Sequence, residues 1–239
     1  MGKIGIIGAM EEEVISLKRK MEEGDTKEIQ AKEMAGMSFF IGKIENTEVV
    51  VVRCGIGKVN AAICTQVLID QFEVEKVINI GVAGGLHPDI EIGDIVISSD
   101  TVEHDMDVTA FGHEKGMIPR MDRSFFEADN RLVEIAKEAA KDLKGTFNVF
   151  TGRIASGDQF VSSMEVKDLI YSTFSAYCAE MEGAAIAHTC YLNKVPFVVI
   201  RSISDKADQS AEVNFDEFVH LAARNATTMI ETMIKKIED

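Results

Sequence analysis

Several stretches of this sequence gather side chains that can move protons or grip a small molecule. They are Gly8-Ala9-Met10-Glu11-Glu12-Glu13, Cys54-Gly55-Ile56-Gly57-Lys58, Gly81-Val82-Ala83-Gly84-Gly85, Ser156-Gly157-Asp158-Gln159-Phe160, Glu180-Met181-Glu182-Gly183 and Ser202-Ile203-Ser204-Asp205. Carboxylates dominate and no histidine occurs in any of them. Paired acids suit general acid and base work. A Ser-His-Asp arrangement cannot be built from such a set.

Each stretch also has an ordinary reading. Glutamates in a first helical turn are favourable against the helix dipole by about 0.3–1 kcal/mol each. Helical geometry separates the three, however: Glu13 lies beside the stripe Met10, Val14, Leu17 and Met21, whereas Glu12 points away. Glu13 is therefore the inward candidate. Gly55-Ile56-Gly57-Lys58 is not a phosphate loop, because Val52 stands where the motif needs Gly and Val59 where it needs Ser or Thr. Gly81 to Gly85 lacks the dinucleotide spacing, so it marks either a close backbone approach to a ligand or a tight turn. Strand alternation predicts that at most one of Glu180 and Glu182 shares a pocket with Glu13. Asp205 after an apolar strand reads equally as a site residue or a helix N-cap. His104-Asp105-Met106-Asp107 has no companion set at ligand spacing, so no metal is expected. His87, His113, His188 and His220 are scattered, and packing or surface roles suffice for them.

These stretches follow short β-rich runs, where open α/β sheets gather their working groups. Strands are predicted at Lys3–Ile7, Phe39–Ile44, Glu48–Cys54, Lys76–Ile80, Asp94–Ser98, Phe147–Ala155, Tyr177–Glu180 and Phe197–Ile203. Apolar residues recur at three- and four-residue steps in Glu11–Met21, Ala61–Phe72, Asn130–Leu143, Val166–Phe174, Ala184–Leu192 and Phe215–Ile237, which predicts helices. Lys76–Ile80 and Phe197–Ile203 are nearly all apolar, as strands covered on both faces require. The Glu45-Asn46-Thr47 break predicts a hairpin, so the sheet is mixed. The stretch Thr101–Asp129 is weakly periodic and reads as a long functional or interface loop, its apolar Val108, Phe111 and Pro119 favouring an interface.

The chain's 239 residues, 46% hydrophobic, fit one α/β domain spanning 1–239. A formal charge of -15 without any Lys/Arg run argues against nucleic acid and anionic membranes as partners. Cys54, Cys64, Cys178 and Cys190 sit in apolar contexts without CxxC spacing and read as reduced core thiols of a cytoplasmic protein. The apolar run Ile4 to Met10 stops at Glu11, too soon for a signal sequence or a membrane span.

As an ordered set the stretches resemble the 5'-methylthioadenosine/S-adenosylhomocysteine nucleosidase family, a hydrolase branch of the nucleoside phosphorylase fold. The carriers are Ile4 to Glu13 (IGIIGAMEEE), Gly55 to Val59, His104 to Phe111 (HDMDVTAF), Ala179 to Glu182, Arg201 to Asp205 and Asn214 to Phe218, and together they run along essentially the whole chain. The resemblance implies a three-layer α/β/α architecture around a central mixed, mostly parallel sheet, and hydrolysis of the base-sugar bond of 5'-methylthioadenosine and S-adenosylhomocysteine without a cofactor. It implies that Glu13 activates water, that Asp205, helped by Ser204, protonates adenine N7, and that Glu182 holds the ribose hydroxyls. Arg201 would orient the water and the carboxylates. Met181 would pack on the ribose, Phe160 would stack on the purine and the Val161 backbone would read its edge. The 5' pocket would come from Met10, Ile56 and Phe215, completed by Val108, Phe111 and Pro119 of a second subunit, so that a homodimer is expected. Val82 departs from the family, many members carrying Ser there, and His113 stands where an aromatic is frequent. The rival readings are a purine nucleoside phosphorylase, which would want Arg rather than Glu13 around a phosphate dianion, and a nucleoside sensor without catalysis, which would have lost Glu13 or Asp205.

Overall fold

The computed structural model describes residues 2–23, 29–143 and 147–238; the remaining positions of the expected span 1–239 lie outside these. Its elements in chain order are β1 (Ile4–Gly8), α1 (Glu11–Glu23), β2 (Gln30–Met34), β3 (Met37–Ile44), β4 (Thr47–Arg53), α2 (Lys58–Phe72), β5 (Lys76–Gly85), β6 (Ile95–Glu103), a 3-10 turn at Thr109–Phe111, β7 (Phe125–Glu127), α3 (Asn130–Asp142), β8 (Val149–Ser156), α4 (Met164–Phe174), β9 (Cys178–Glu180), α5 (Gly183–Asn193), β10 (Phe197–Asp205) and α6 (Ala211–Glu238).

The most apolar strands lie at the centre, because only a strand covered on both faces can bury every side chain. β1 and β10 are buried throughout, and both run parallel to β5. From β5 the sheet extends one way through β1 and β4 to the antiparallel β3 and β2. The other way it closes on itself: β5 pairs with β10, β10 with β6, β6 with β8, β8 with β9, and β9 again with β5. Parallel pairings include the longest registers, β5 with β10 and β6 with β8. A closed ring of strands has no unpaired edge, and the ends of several strands converge on one place.

Helices α1, α3 and α6 pack together on one side of the sheet, and α2 with α5 on the other, so the architecture is three-layered. The buried face of α1 is Val14, Leu17 and Met21 of the predicted stripe together with Glu13, while Met10 precedes the helix and is half-buried. Each fully buried aliphatic side chain of this kind contributes about 1.5–3 kcal/mol. All four cysteines are buried and free, and among the described residues no helix is long and apolar enough to cross a membrane.

Several boundaries differ from expectation for identifiable reasons. The predicted hairpin turn is present, with Ile44 paired to Thr47. β2, an exposed edge strand carrying Lys32 and Glu33, escaped prediction because its side chains show no apolar alternation. The long loop expected from Thr101 is shorter, since β6 continues to Glu103 and pairs with β7. The glycine run Gly81–Gly85 is no turn: it is the end of β5.

Candidate active site

The catalytic candidates are built onto the ends of β1, β5, β9 and β10. Glu13 is the third residue of α1, and its carboxylate turns back to accept the Met10 N–H (2.9 Å) and the Ala9 N–H (2.6 Å) on Oε2. That is one half of a capping box, with the donors that α1 leaves unpaired at its start. Oε1 accepts the Val82 N–H from β5 at 3.1 Å. The helix-start and site readings of this glutamate are thus the same contact set. Burial raises its pKa, opposed by the Arg201 charge and the three N–H donors.

The glycines of β5 explain how two acids approach one strand. A Cβ on Gly81 would stand 2.5 Å from Glu13 Oε1, and one on Gly84 would stand 2.8 Å from Asp205 Oδ1. Close side-chain approach, rather than a turn, is what these positions require. Asp205 ends β10 and is 1% exposed. It is not a helix N-cap, because α6 starts only at Ala211. Its Oδ1 instead accepts the Ala207 N–H (2.8 Å), while Ser204 Oγ donates to Oδ2 (2.9 Å). Burial raises the Asp205 pKa against these two hydrogen bonds, the direction a proton donor needs.

Arg201 is 1% exposed in the same strand. Its Nη2 donates to Glu180 Oε2 (2.5 Å) and Asn79 Oδ1 (2.6 Å), and Nη1 to the Ile200 carbonyl (3.1 Å). Glu180 also accepts the N–H groups of Glu182 (3.0 Å) and Gly183 (2.8 Å) and the Ser156 hydroxyl. Removing one partner of a buried pair generally costs about 3–5 kcal/mol, so Glu180 and Arg201 anchor the floor of the site. Asn79 was missed in the sequence, and Glu180 and Ser156, though inside candidate stretches, had no role assigned there; the available signal was that an arginine inside an apolar strand must have a buried carboxylate partner.

Glu182 corrects the alternation argument. β9 ends at Glu180, and Glu182 is already the N-cap residue of α5, so both residues line the same cavity as Glu13. Glu182 makes no side-chain cap bond of its own; its Oε1 accepts the Gly57 N–H at 2.8 Å. Burial, followed by repulsion from Glu180, pushes its pKa up to about 8. A carboxyl raised in the folded state binds protons that the unfolded chain has already released, so it lowers stability as pH rises. Thermal midpoints of the wild type are therefore expected to fall between about pH 4.5 and about pH 8, and Glu182→Gln to flatten that fall. Equal slopes for the two proteins would contradict the assignment.

The cavity and its open mouth together enclose about 620 Å³ of space free of protein atoms. Glu13, Glu182 and Asp205 border it, with Met10, Ile56, Val82, Phe160, Val161, Met181, Ser204 and Phe215 as its other predicted members. Phe160 meets Phe215 edge to face at 5.8 Å, and Phe160 and Ile56 are left partly exposed. Val82 packs with Met10, Phe215 and Val219, so where a serine would bring a hydroxyl this chain has an apolar wall. Gln159 and Ala179, unassigned in the sequence, also line the cavity. Arg201 lies behind the wall. Val108, Phe111 and Pro119 do not border the cavity of their own chain, and Phe111 is 83% exposed. Among the described residues no group of three or more His, Cys, Asp or Glu is arranged to hold a metal.

Residues 3–235 match the family model described as the phosphorylase superfamily. A 5'-methylthioadenosine/S-adenosylhomocysteine nucleosidase of an Exiguobacterium species is 45% identical over 99% of both chains. This chain belongs to the 5'-methylthioadenosine/S-adenosylhomocysteine nucleosidase family. Solved structures of the family agree with the fold. The enzyme from Neisseria meningitidis, in complex with methylthio-immucillin-A, superposes with a TM-score of 0.93 at 40% identity, covering 99% of this chain and 100% of that one. The Colwellia psychrerythraea nucleosidase in complex with adenine gives 0.92 at 41% identity over 98% and 95%. Nucleosidases of this family are N-glycoside hydrolases, a chemistry for which acids bordering a mostly apolar cavity are suited.

Proposed function

We propose that this chain hydrolyses the N-glycosidic bond of 5'-methylthioadenosine and S-adenosylhomocysteine, releasing adenine and the 5'-thioribose, and that 5'-deoxyadenosine is a further substrate. The reaction would serve methionine salvage and disposal of S-adenosylmethionine by-products. The observation that carries the reading is the pair Glu13 and Asp205, two buried acids seated against the glycines of one strand at the wall of one apolar cavity.

An ionised carboxylate has about four acceptor positions. Three backbone N–H groups take three of Glu13's, two on Oε2 and one on Oε1. The fourth, on Oε1, is the position from which Glu13 would take a proton from the attacking water. Asp205, whose pKa is raised by burial, would in its protonated form pass its proton to adenine N7 and make the base a neutral leaving group. Between them the sugar passes through an oxocarbenium-like state, which Glu182 on the ribose hydroxyls would stabilise. Arg201 would act through Glu180, and its positive charge tempers the repulsion among the carboxylates. Phe160 and Val161 would receive the purine, Met181 the ribose, and Met10, Ile56 and Phe215 the apolar 5' group.

The exposed Phe111, with Val108 and Pro119, would close the 5' end of a neighbouring subunit's cavity, making the cytoplasmic enzyme a homodimer of chains that each act as a single unit. A phosphorylase is disfavoured because Glu13 stands where a phosphate dianion would have to bind. Adenine release from 5'-methylthioadenosine, S-adenosylhomocysteine and 5'-deoxyadenosine, each with and without phosphate, tests the reading. Turnover independent of phosphate is expected, and strict phosphate dependence would overturn it.

A further inference from the structure

Outside the cavity lining, three residues distant in sequence close a ring of hydrogen bonds. The Lys58 N–H donates to Asp158 Oδ1 (2.8 Å), the Asp158 N–H donates to Asp105 Oδ2 (2.9 Å), and Lys58 Nζ donates to Asp105 Oδ1 (2.6 Å). Lys58 Nζ also reaches Glu103 Oε2 (3.2 Å), whose Oε1 meets His188 Nδ1 at 3.0 Å. The ring ties the start of α2 to the chain leaving β6 and to the chain leaving β8. None of its three members borders the cavity.

Asp105 and Asp158 are exposed and Lys58 half-buried, so as ion pairs these bonds contribute little; what matters is the backbone they hold in place. The residue before Lys58 is Gly57, held at φ 97°, whose N–H is the donor to Glu182 Oε1. Asp158 Oδ1, which fixes the Lys58 N–H, would lie 3.0 Å from a Cβ at Gly57. The same aspartate stands two residues before Phe160 in the cavity wall.

We infer that Lys58, Asp105 and Asp158 form a positioning clasp that keeps the Gly57 N–H on Glu182, so that this carboxylate is already aimed when the ribose arrives. The inference rests on the reading of Glu182 as the ribose-binding acid. Its advantage is preorganisation: a turn fixed before binding does not have to be ordered by the substrate. Lys58 is thus a positioning residue, acting on the sugar through Gly57 and Glu182.

Adenine release from 5'-methylthioadenosine is to be measured for the wild type, Lys58→Met, Lys58→Arg, Glu182→Gln and the Lys58→Met/Glu182→Gln double variant. The Gly57 amide proton is followed by NMR in the wild type and Lys58→Met. Lys58→Met is expected to lower kcat/KM about tenfold, the scale of one hydrogen bond to a charged group, and to move the Gly57 amide upfield. Lys58→Arg should recover most of the loss, and Lys58→Met should cost little more in the Glu182→Gln background. An unmoved Gly57 amide overturns the clasp, as does an equal loss in both backgrounds. Should Lys58→Met fail to fold, Asp105→Asn opens the same ring and is read in the same way. If Glu182→Gln alone leaves kcat/KM at the wild-type value, the ribose reading fails, and the Gly57 amide then decides the clasp independently.

Discussion

Replacing Glu13 by Gln is expected to lower kcat by about 10²–10⁴-fold, the range a general base supplies, while the protein remains folded. The geometry says why the near-isosteric change is so costly. Three backbone N–H groups converge on the carboxylate, two on Oε2 and one on Oε1. A glutamine has one acceptor oxygen, which serves best on the Ala9 and Met10 pair, and its NH2 must then face the Val82 N–H. The oxygen that would take the proton from water is gone. Folding is less affected, because the cap on α1 survives and a buried charge, costly by desolvation, is removed. Single-turnover adenine release and the thermal midpoint check the two statements separately. A variant that turns over at the wild-type rate would remove Glu13 from the mechanism.

The site is legible in the sequence at its strand ends, most clearly where periodicity and chemistry coincide. Glu13 beside Val14, Leu17 and Met21 could be called inward from helical geometry alone, and it is buried with them. A residue whose role depends on a partner distant in sequence is not legible in this way. Glu180 looked like one of two interchangeable acids until Arg201, 21 residues away in the chain, was seen to hold it. The glycines of β5 were ambiguous for the same reason: the atoms that forbid a Cβ belong to Glu13 and Asp205, which arrive from α1 and β10. Alternation misjudged Glu182 because the strand stops two residues earlier, and where a three-residue strand stops is set by pairing with β5 and β8, not by its own residues. The clasp of Lys58, Asp105 and Asp158 was invisible for want of any local pattern.

Asp205→Asn is expected to lower kcat by about 10²–10⁴-fold, the range a general acid supplies, but to leave substrate binding largely intact. Asparagine can keep the carbonyl on the Ala207 N–H, as Oδ1 does now at 2.8 Å, and its NH2 can still donate a hydrogen bond to adenine N7. What it cannot do is give up a proton. The departing base would then leave as an anion, so the loss should fall on kcat rather than on KM, the pattern of an interaction made in the transition state. The NH2 would also face Ser204 Oγ, which now donates to Oδ2; that hydroxyl can rotate to accept instead, so the local network survives. A nucleoside whose leaving group departs without protonation supplies the control. With such a substrate Asp205→Asn should approach the wild-type rate, while Glu13→Gln should remain slow, because water must still be activated. If Asp205→Asn were equally slow on both substrates, its carboxyl would be holding the site's shape rather than supplying a proton.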